Sequence, residues 1–302
     1  MTNHHHHHHH DHSSKNLKTA FFLNVAFTVF ELIGGLYVNS IAIISDAIHD
    51  LGDSLSLGTA WYLDVKSKKA ATRSFSFGYR RFSLLGALIN CIVLIVGSVF
   101  VIHAAIGRII EPEPSNAKGM LLFAIVGVLV NGYAAWKTST GKTLNERVIT
   151  WHLLEDVLGW VAVLIVSIVL LFTDNLYLDP VLSLLITLFI LWNVVKRLKE
   201  TLFIFLQGHP KDINKDDIEK EILNIRHVQS LHHTHIWSLD GEHHVFTTHV
   251  KLGPVENLAE MLSIKNQLKT IMRKYPFEHY TIETEIDEEV CDLEATAVIE
   301  QG

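Results

Sequence analysis

The stretch Ser45-Asp46-Ala47-Ile48-His49-Asp50-Leu51-Gly52-Asp53 decides how the rest of the chain is read. It lies in a segment, 41–63, that otherwise describes a membrane-spanning helix. Asp46, His49, Asp50 and Asp53 stand at i, i+3, i+4 and i+7, so all four share one helical face. Each Asp at the centre of a bilayer helix costs about 2.5–3.5 kcal/mol, whereas each Leu or Ile returns about 0.3–0.6 kcal/mol. Together these aspartates cost on the order of 7–10 kcal/mol, which the helix's few Leu and Ile do not offset. The acidic face must therefore be hidden against other helices, a water-filled cavity or a bound cation.

The surrounding composition fits a membrane setting. The 302 residues are 49% hydrophobic, with a mean hydropathy of +0.26. Apolar residues concentrate before position 207 and charges after it, which predicts two domains of different solvent preference. The formal net charge of −7 argues against a nucleic-acid partner. Cys91 and Cys291 form no CxxC motif and no disulfide framework. The run of histidines at 4–10 is not a signal peptide, since it lacks an apolar core with a basic flank. It is either an affinity tag or a native His-rich metal-binding tract.

Working outward, apolar segments at 17–38, 41–63, 82–106, 120–136, 148–172 and 178–195 predict six transmembrane helices. Asn39-Ser40 joins the first two as a tight hairpin. Lys66, Lys68, Lys69, Arg73, Arg80 and Arg81 crowd the loop after the second helix. Lys137, Lys142 and Arg147 follow the fourth, and Lys196, Arg197 and Lys199 the sixth, while the alternate loops are poor in positive charge. By the positive-inside rule both termini are cytoplasmic. The basic, aromatic stretch from Phe75 to Arg81 reads as an interfacial anchor under the same rule.

After Gly208-His209-Pro210 the pattern changes. Residues 211–226 read as an amphipathic helix with Ile213, Ile218, Ile222 and Ile225 as its apolar set. Strands are expected at 230–239 and 243–252 around Asp240-Gly241, then a helix at 257–275 and a strand at 278–287. The expected domains are a His-rich tail (1–14), a six-helix transmembrane bundle (15–207), a cytosolic αββαβ, ferredoxin-like α+β domain (208–290) and an acidic tail (291–302).

The fifth helix repeats the chemistry of the second. His152 and Asp156 are four apart and share a face, as His49 and Asp53 do. If the two helices pack together, His49, Asp53, His152 and Asp156 present two imidazoles and two carboxylates, the ligand set of tetrahedral Zn²⁺. Magnesium and calcium would prefer all-oxygen sites. Asp46 and Asp50 are candidates for an access path or proton relay, and Glu155 for a vestibule position. Asn24 and Asn131 are candidates for helix packing or for orienting the ligands. An intramembrane hydrolase is disfavoured: there is no HExxH, and four ligands leave no open position.

These residues resemble the cation diffusion facilitators, and among them the bacterial cobalt–zinc–cadmium efflux branch. The matching pieces are His49-Asp50-Leu51-Gly52-Asp53, Phe75-Ser76-Phe77-Gly78-Tyr79-Arg80-Arg81 and His152-Leu153-Leu154-Glu155-Asp156. The resemblance implies a homodimer in the inner (plasma) membrane, exporting Zn²⁺, and also Cd²⁺ or Co²⁺, from the cytoplasm in exchange for protons. It implies no prosthetic group, and it associates a histidine in the second-helix site mainly with zinc. It also implies regulatory Zn²⁺ in the cytosolic domain, at His233, His249, Glu283 and Glu285. Both third-strand positions are Glu here, a departure from the family pattern. The 64–81 loop holds no histidine, so no metal site is expected there. The alternative reading is a membrane-anchored divalent-metal sensor whose His-rich cytosolic domain does the work.

Overall fold

The structure is a computed structural model that describes residues 10–67, 72–139, 144–286, 289 and 291. The histidine run up to position 9, most of the tail beyond 286 and the side chain of His152 lie outside the described residues. The chain divides into two compact units, 1–199 and 200–302.

The first unit is a bundle of long helices: α1 (His10–Val38), α2 (Ile41–Ser67), α3 (Phe82–Ile110), α4 (Ala117–Ser139), α5 (Leu144–Phe172) and the start of α6 (Leu178–Phe205). Five of them hold apolar spans able to cross a membrane, at Phe21–Val38, Phe82–Ile110, Ala117–Lys137, Leu153–Phe172 and Leu178–Phe205. Several helices run a turn or more beyond the sequence expectation, because apolar spans continue into polar ends that keep helical hydrogen bonds. The bundle is apolar outside and partly polar inside. Phe100, Leu129, Phe172 and Trp192 are exposed, while Ser45, Ser98, Ser167 and Ser183 are buried. That arrangement suits lipid contact, where hydroxyl bonds and small residues rather than water-driven burial join helices.

The α1–α2 hairpin is closed by chain geometry that the Asn39-Ser40 pair supplies. Asn39 adopts a left-handed φ of 57°, which Asn tolerates better than most residues. Asn39 N–H donates to Leu36 O at 3.3 Å and Ser40 N–H to Gly35 O at 3.0 Å, the paired bonds of a Schellman ending. α1 packs on α2, α2 on α3 and α4 on α5. Val38, Ala42, Ile43, Met120, Ala124, Trp160 and Val163 form the largest core of the bundle, drawn from α1, α2, α4 and α5. Gly52 allows the close α2–α3 approach, since a Cβ there would sit 2.5 Å from Leu94 Cδ2.

The second unit holds α7 (Lys215–Leu223), β1 (Val228–Ser238), β2 (His244–Leu252), α8 (Leu258–Met272) and β3 (Phe277–Ile286). The sheet order is β1-β2-β3, antiparallel between β1 and β2 and parallel between β2 and β3. Ile213, Ile218, Ile222 and Ile225 are all buried with Phe246, Val250 and Leu268. α7 is shorter than the 211–226 helix expected from periodicity. It starts at Lys215 because the Asn214 side chain caps it, accepting from Asp216 N–H at 3.1 Å.

Candidate metal transport site

α2 enters the site already anchored. Asp179, at the start of α6, is buried against the first turn of α2. Its Oδ2 accepts Ile41 N–H at 2.8 Å, and its Oδ1 accepts Ala42 N–H at 3.3 Å and Ser40 Oγ–H at 2.5 Å. Ser40 Oγ in turn accepts Ile43 N–H at 3.3 Å. Three amides that a helix start leaves without partners are thus satisfied. Ser45 and Thr187 join the same two helices by a 2.8 Å hydroxyl bond. Asn24 on α1 donates to Asp50 O and Ser54 Oγ, each at 3.1 Å, and Asn90 on α3 donates to Ser56 Oγ at 2.6 Å. Asn24 therefore acts in helix packing, whereas Asn131 donates to Gly127 O of its own helix at 3.2 Å. These contacts fix the register of α2 against its neighbours.

With that register, His49 Nε2 lies 3.8 Å from Asp53 Oδ2 and 3.7 Å from Asp156 Oδ1. Donor atoms at ~2.0–2.1 Å from a tetrahedral zinc stand about 3.3–3.4 Å from each other. Both distances from His49 Nε2 exceed that by only a few tenths of an ångström. His152 sits on α5 four residues before Asp156, hence on the same helical face, and its side chain is among those not described. Asp156 is 9% exposed. A cavity of about 370 Å³ reaches Asp46, His49, Glu155 and Asp156, and extends along α6 to Asn193 and Arg197. Asp50 is buried and does not line it.

Sequence reasoning missed two bundle residues. Asp179 stands at the start of the sixth apolar segment with no spacing partner to mark it. Glu31, in the middle of α1, is fully buried beside Asp50 and Asp46. A lone acid in an apolar span is itself a signal of function, but it has no helical-spacing partner to draw notice.

In the second unit the histidines separate by role. His243 is held in the β1–β2 turn by Asp240, with Nδ1 2.9 Å from Oδ2. His244 is buried against Asp212, 3.2 Å from its carboxylate. One atom each from His232, His249, Glu285 and Cys291 gathers within 4.8 Å, with Glu285 and Cys291 buried. Glu285 Oε1 lies 3.0 Å from His232 Nε2 and 2.8 Å from His249 Nδ1. Burial pushes the Glu285 carboxyl up, but the hydrogen bonds from His249 and His232 outweigh it and hold it below the usual carboxylate range. Glu283 approaches from the exposed side, 3.4 Å from His249 Nε2. His233 packs edge-on to the His249 ring, with centroids 5.4 Å apart.

Strand alternation would send the neighbours His232 and His233 to opposite faces, yet both rings meet His249. Strict alternation fails because the β1–β2 register shifts between His232 and His235, and His233 takes a left-handed φ of 49°. A bulge of this kind re-aims side chains, so His232 rather than His233 turns its ring nitrogen onto Glu285. Cys291 arrives from the segment after β3, where no spacing rule could place it.

A helical bundle with imidazole and carboxylates gathered at an interior cavity defines a membrane protein that moves cations. The chain belongs to the cation efflux family: residues 17–206 match the cation efflux transmembrane domain and residues 210–287 the cation efflux protein cytoplasmic domain. It is therefore a transporter and not an enzyme. It is similar to the zinc transporter ZitB of Pectobacterium atrosepticum, with 33% identity over 284 residues, 93% of this chain and 87% of that one. It is also similar to the cadmium, cobalt and zinc/H(+)-K(+) antiporter of Bacillus subtilis, at 30% over 279 residues, 91% of this chain and 90% of that one. The metal cation efflux system protein CzcD of Cupriavidus metallidurans is 31% identical over 276 residues, 91% of this chain and 87% of that one.

Proposed function

We propose that the protein is a proton-coupled antiporter that exports divalent metal, zinc foremost, from the cytoplasm. The observation that carries this reading is the approach of His49 to both Asp53 and Asp156, with His49 and Asp156 lining one interior cavity. His152, one turn from Asp156, completes two imidazoles and two carboxylates, which suits Zn²⁺ and also admits Cd²⁺ and Co²⁺. Metal needs neutral imidazole and ionised carboxylate, so it competes with protons at the same atoms. That competition makes inward proton flow a driving force for metal release outside. The named relatives include zinc carriers and an H(+)-K(+)-coupled antiporter, which supports both cargo and coupling.

In this reading α2 is a sixth span, its acidic face turned to the cavity, and the bundle sits in the cell's inner membrane with both termini cytoplasmic. The basic residues Lys196, Arg197 and Lys199 mark the cytoplasmic end of α6. The cavity reaches Arg197, so it serves as the loading route, with Asp46 and Glu155 drawing cations inward. The soluble part, 208–290, is assigned as a ferredoxin-like homodimerisation domain. Its regulatory metal is assigned to His232, His249, Glu285 and Cys291, with Glu283 as an outer ligand. The sensor alternative gives no role to a ligand set inside the bundle and is set aside.

Reconstitution tests the assignment. Zinc uptake into proteoliposomes should follow an imposed pH gradient and fall to background in Asp156→Ala. Gradient-driven uptake that survives Asp156→Ala would sink the transport site.

A further inference from the structure

Glu31 has no role in the ligand set, yet it is 0% exposed and neither carboxyl oxygen meets a hydrogen-bond donor. Acids crowd it, Asp50 and Asp46 from α2 and Asp156 from α5, with His49 beside Asp46 and Asp50. α4, which also packs on α1, has charged side chains only near its ends, at Lys118 and Lys137. A buried carboxylate without donor or counter-charge is strongly disfavoured. It persists only if something positive is bound.

Geometry chooses between a proton and a metal ion. The cavity that reaches Asp46 and His49 is lined by neither Glu31 nor Asp50, so a cation held in it does not touch Glu31. A proton needs no room. Glu31 and Asp50 are within hydrogen-bonding reach of each other, but two carboxylates offer only acceptors. One proton on Glu31 gives the pair the donor it lacks.

We propose that Glu31 is a dedicated proton-binding residue of the transport cycle, separate from the metal ligands. This rests on the metal–proton exchange proposed above. With the ligands empty of metal, Glu31 O–H donates to Asp50. When a divalent cation binds at His49, Asp53 and Asp156, its positive charge lowers the cost of ionising Glu31. The O–H bond then breaks, the electron pair stays on the Glu31 carboxylate, and the proton passes to water in the cavity beside Asp46. Asp46 both faces Glu31 and lines the cavity, so it stands on that route. Each metal would then displace one proton more than the ligands alone release.

Two measurements on the full-length protein test this. The first is calorimetry of zinc binding in buffers of different ionisation enthalpy, which counts protons released. Glu31→Gln, a neutral isostere of the protonated acid, should bind zinc within about threefold of wild type while releasing about one proton fewer per protomer. Its uptake driven by a pH gradient should fall at least about tenfold, and Glu31→Asp should recover part of it. An unchanged proton count in Glu31→Gln overturns the proposal, as does loss of zinc binding, which would make Glu31 a ligand.

The second needs no variant, should Glu31→Gln fold poorly. Infrared difference spectra of wild-type protein should show a carboxylic-acid C=O band that disappears when zinc is added. Absence of that band in the zinc-free protein also overturns the proposal. The proton count does not depend on transport, so a failure of gradient-driven uptake in wild type, which would sink the antiport reading, is told apart from a failure of Glu31.

Discussion

The carboxylate of Asp179 on α6 accepts the Ile41 amide that begins α2, at 2.8 Å, and so ties the site helix to a partner 138 residues away. Its other oxygen takes Ala42 N–H and Ser40 Oγ–H. A negative charge at a helix start also meets the positive end of the helix dipole. Replacing Asp179 by Ala removes both the cap and the charge. Loss of a cap costs about 1–2 kcal/mol, and the buried Ser40 hydroxyl loses its acceptor besides. Asp179→Ala should lower the thermal unfolding midpoint in detergent more than Ser40→Ala does. Asp179→Asn, which keeps one acceptor, should fall between Ala and wild type. A midpoint for Asp179→Ala equal to wild type would show that α2 is held elsewhere.

Metal choice should follow the ligand at position 49. His49 supplies the nitrogen that α2 brings toward Asp53 and Asp156. His49→Asp turns the set from two nitrogens to one and adds a carboxylate. Harder ligands discriminate less in favour of zinc, so the ratio of zinc to manganese uptake should fall by about tenfold or more. Competition assays in proteoliposomes, with both metals at fixed pH, read that ratio directly.

How much of this could be read from residues alone depended on whether a pattern was local. His49 with Asp53, and His152 with Asp156, repeat at helical spacing, so each pair could be placed on one face before any packing was known. The αββαβ order was equally plain, because hydrophobic periodicity changes between helix and strand. Glu31 and Asp179 escaped because each acts across helices, on partners far away in sequence. His232 escaped for another reason. Strand alternation is a reliable guide only while the register holds, and the left-handed turn at His233 breaks it.

Acid should loosen the β1–β2 turn through Asp240. Burial works against the charged carboxylate there, but the amides of His243 and Glu242 and the His243 ring outweigh it and hold the group below its ordinary value of 3.8. The His243 and Glu242 amides donate to Asp240 Oδ1 at 2.8 and 3.0 Å. A carboxyl lowered in the folded state contributes stability that is complete above the ordinary value and is lost as pH falls through the folded one. Hydrogen-exchange protection of the amides at 238–244 should therefore drop at acid pH relative to neutral, after correction for intrinsic exchange. Asp240→Asn should start lower at neutral pH and lose little more in acid. An equal acid response in both proteins would assign the effect to another group.

Cys291 offers a direct readout of the His232–His249–Glu285 cluster. Its Sγ lies 3.6 Å from His249 Nδ1, beside Glu285, and the chain's other cysteine, Cys91, is buried on α3. Zinc binding needs the thiolate and removes its free electron pair from reaction. Added zinc should therefore slow maleimide labelling of Cys291 in the full-length protein by about tenfold or more. Labelling of a Cys91→Ala protein isolates the signal. His249→Ala should abolish the protection, because it removes the ligand that touches Glu285, Glu283 and Cys291 together. His233→Ala should leave most of it in place, since that ring only flanks the cluster. The opposite ranking, with His233 essential and His232 dispensable, would restore regular strand alternation and remove the bulge from the account of the site.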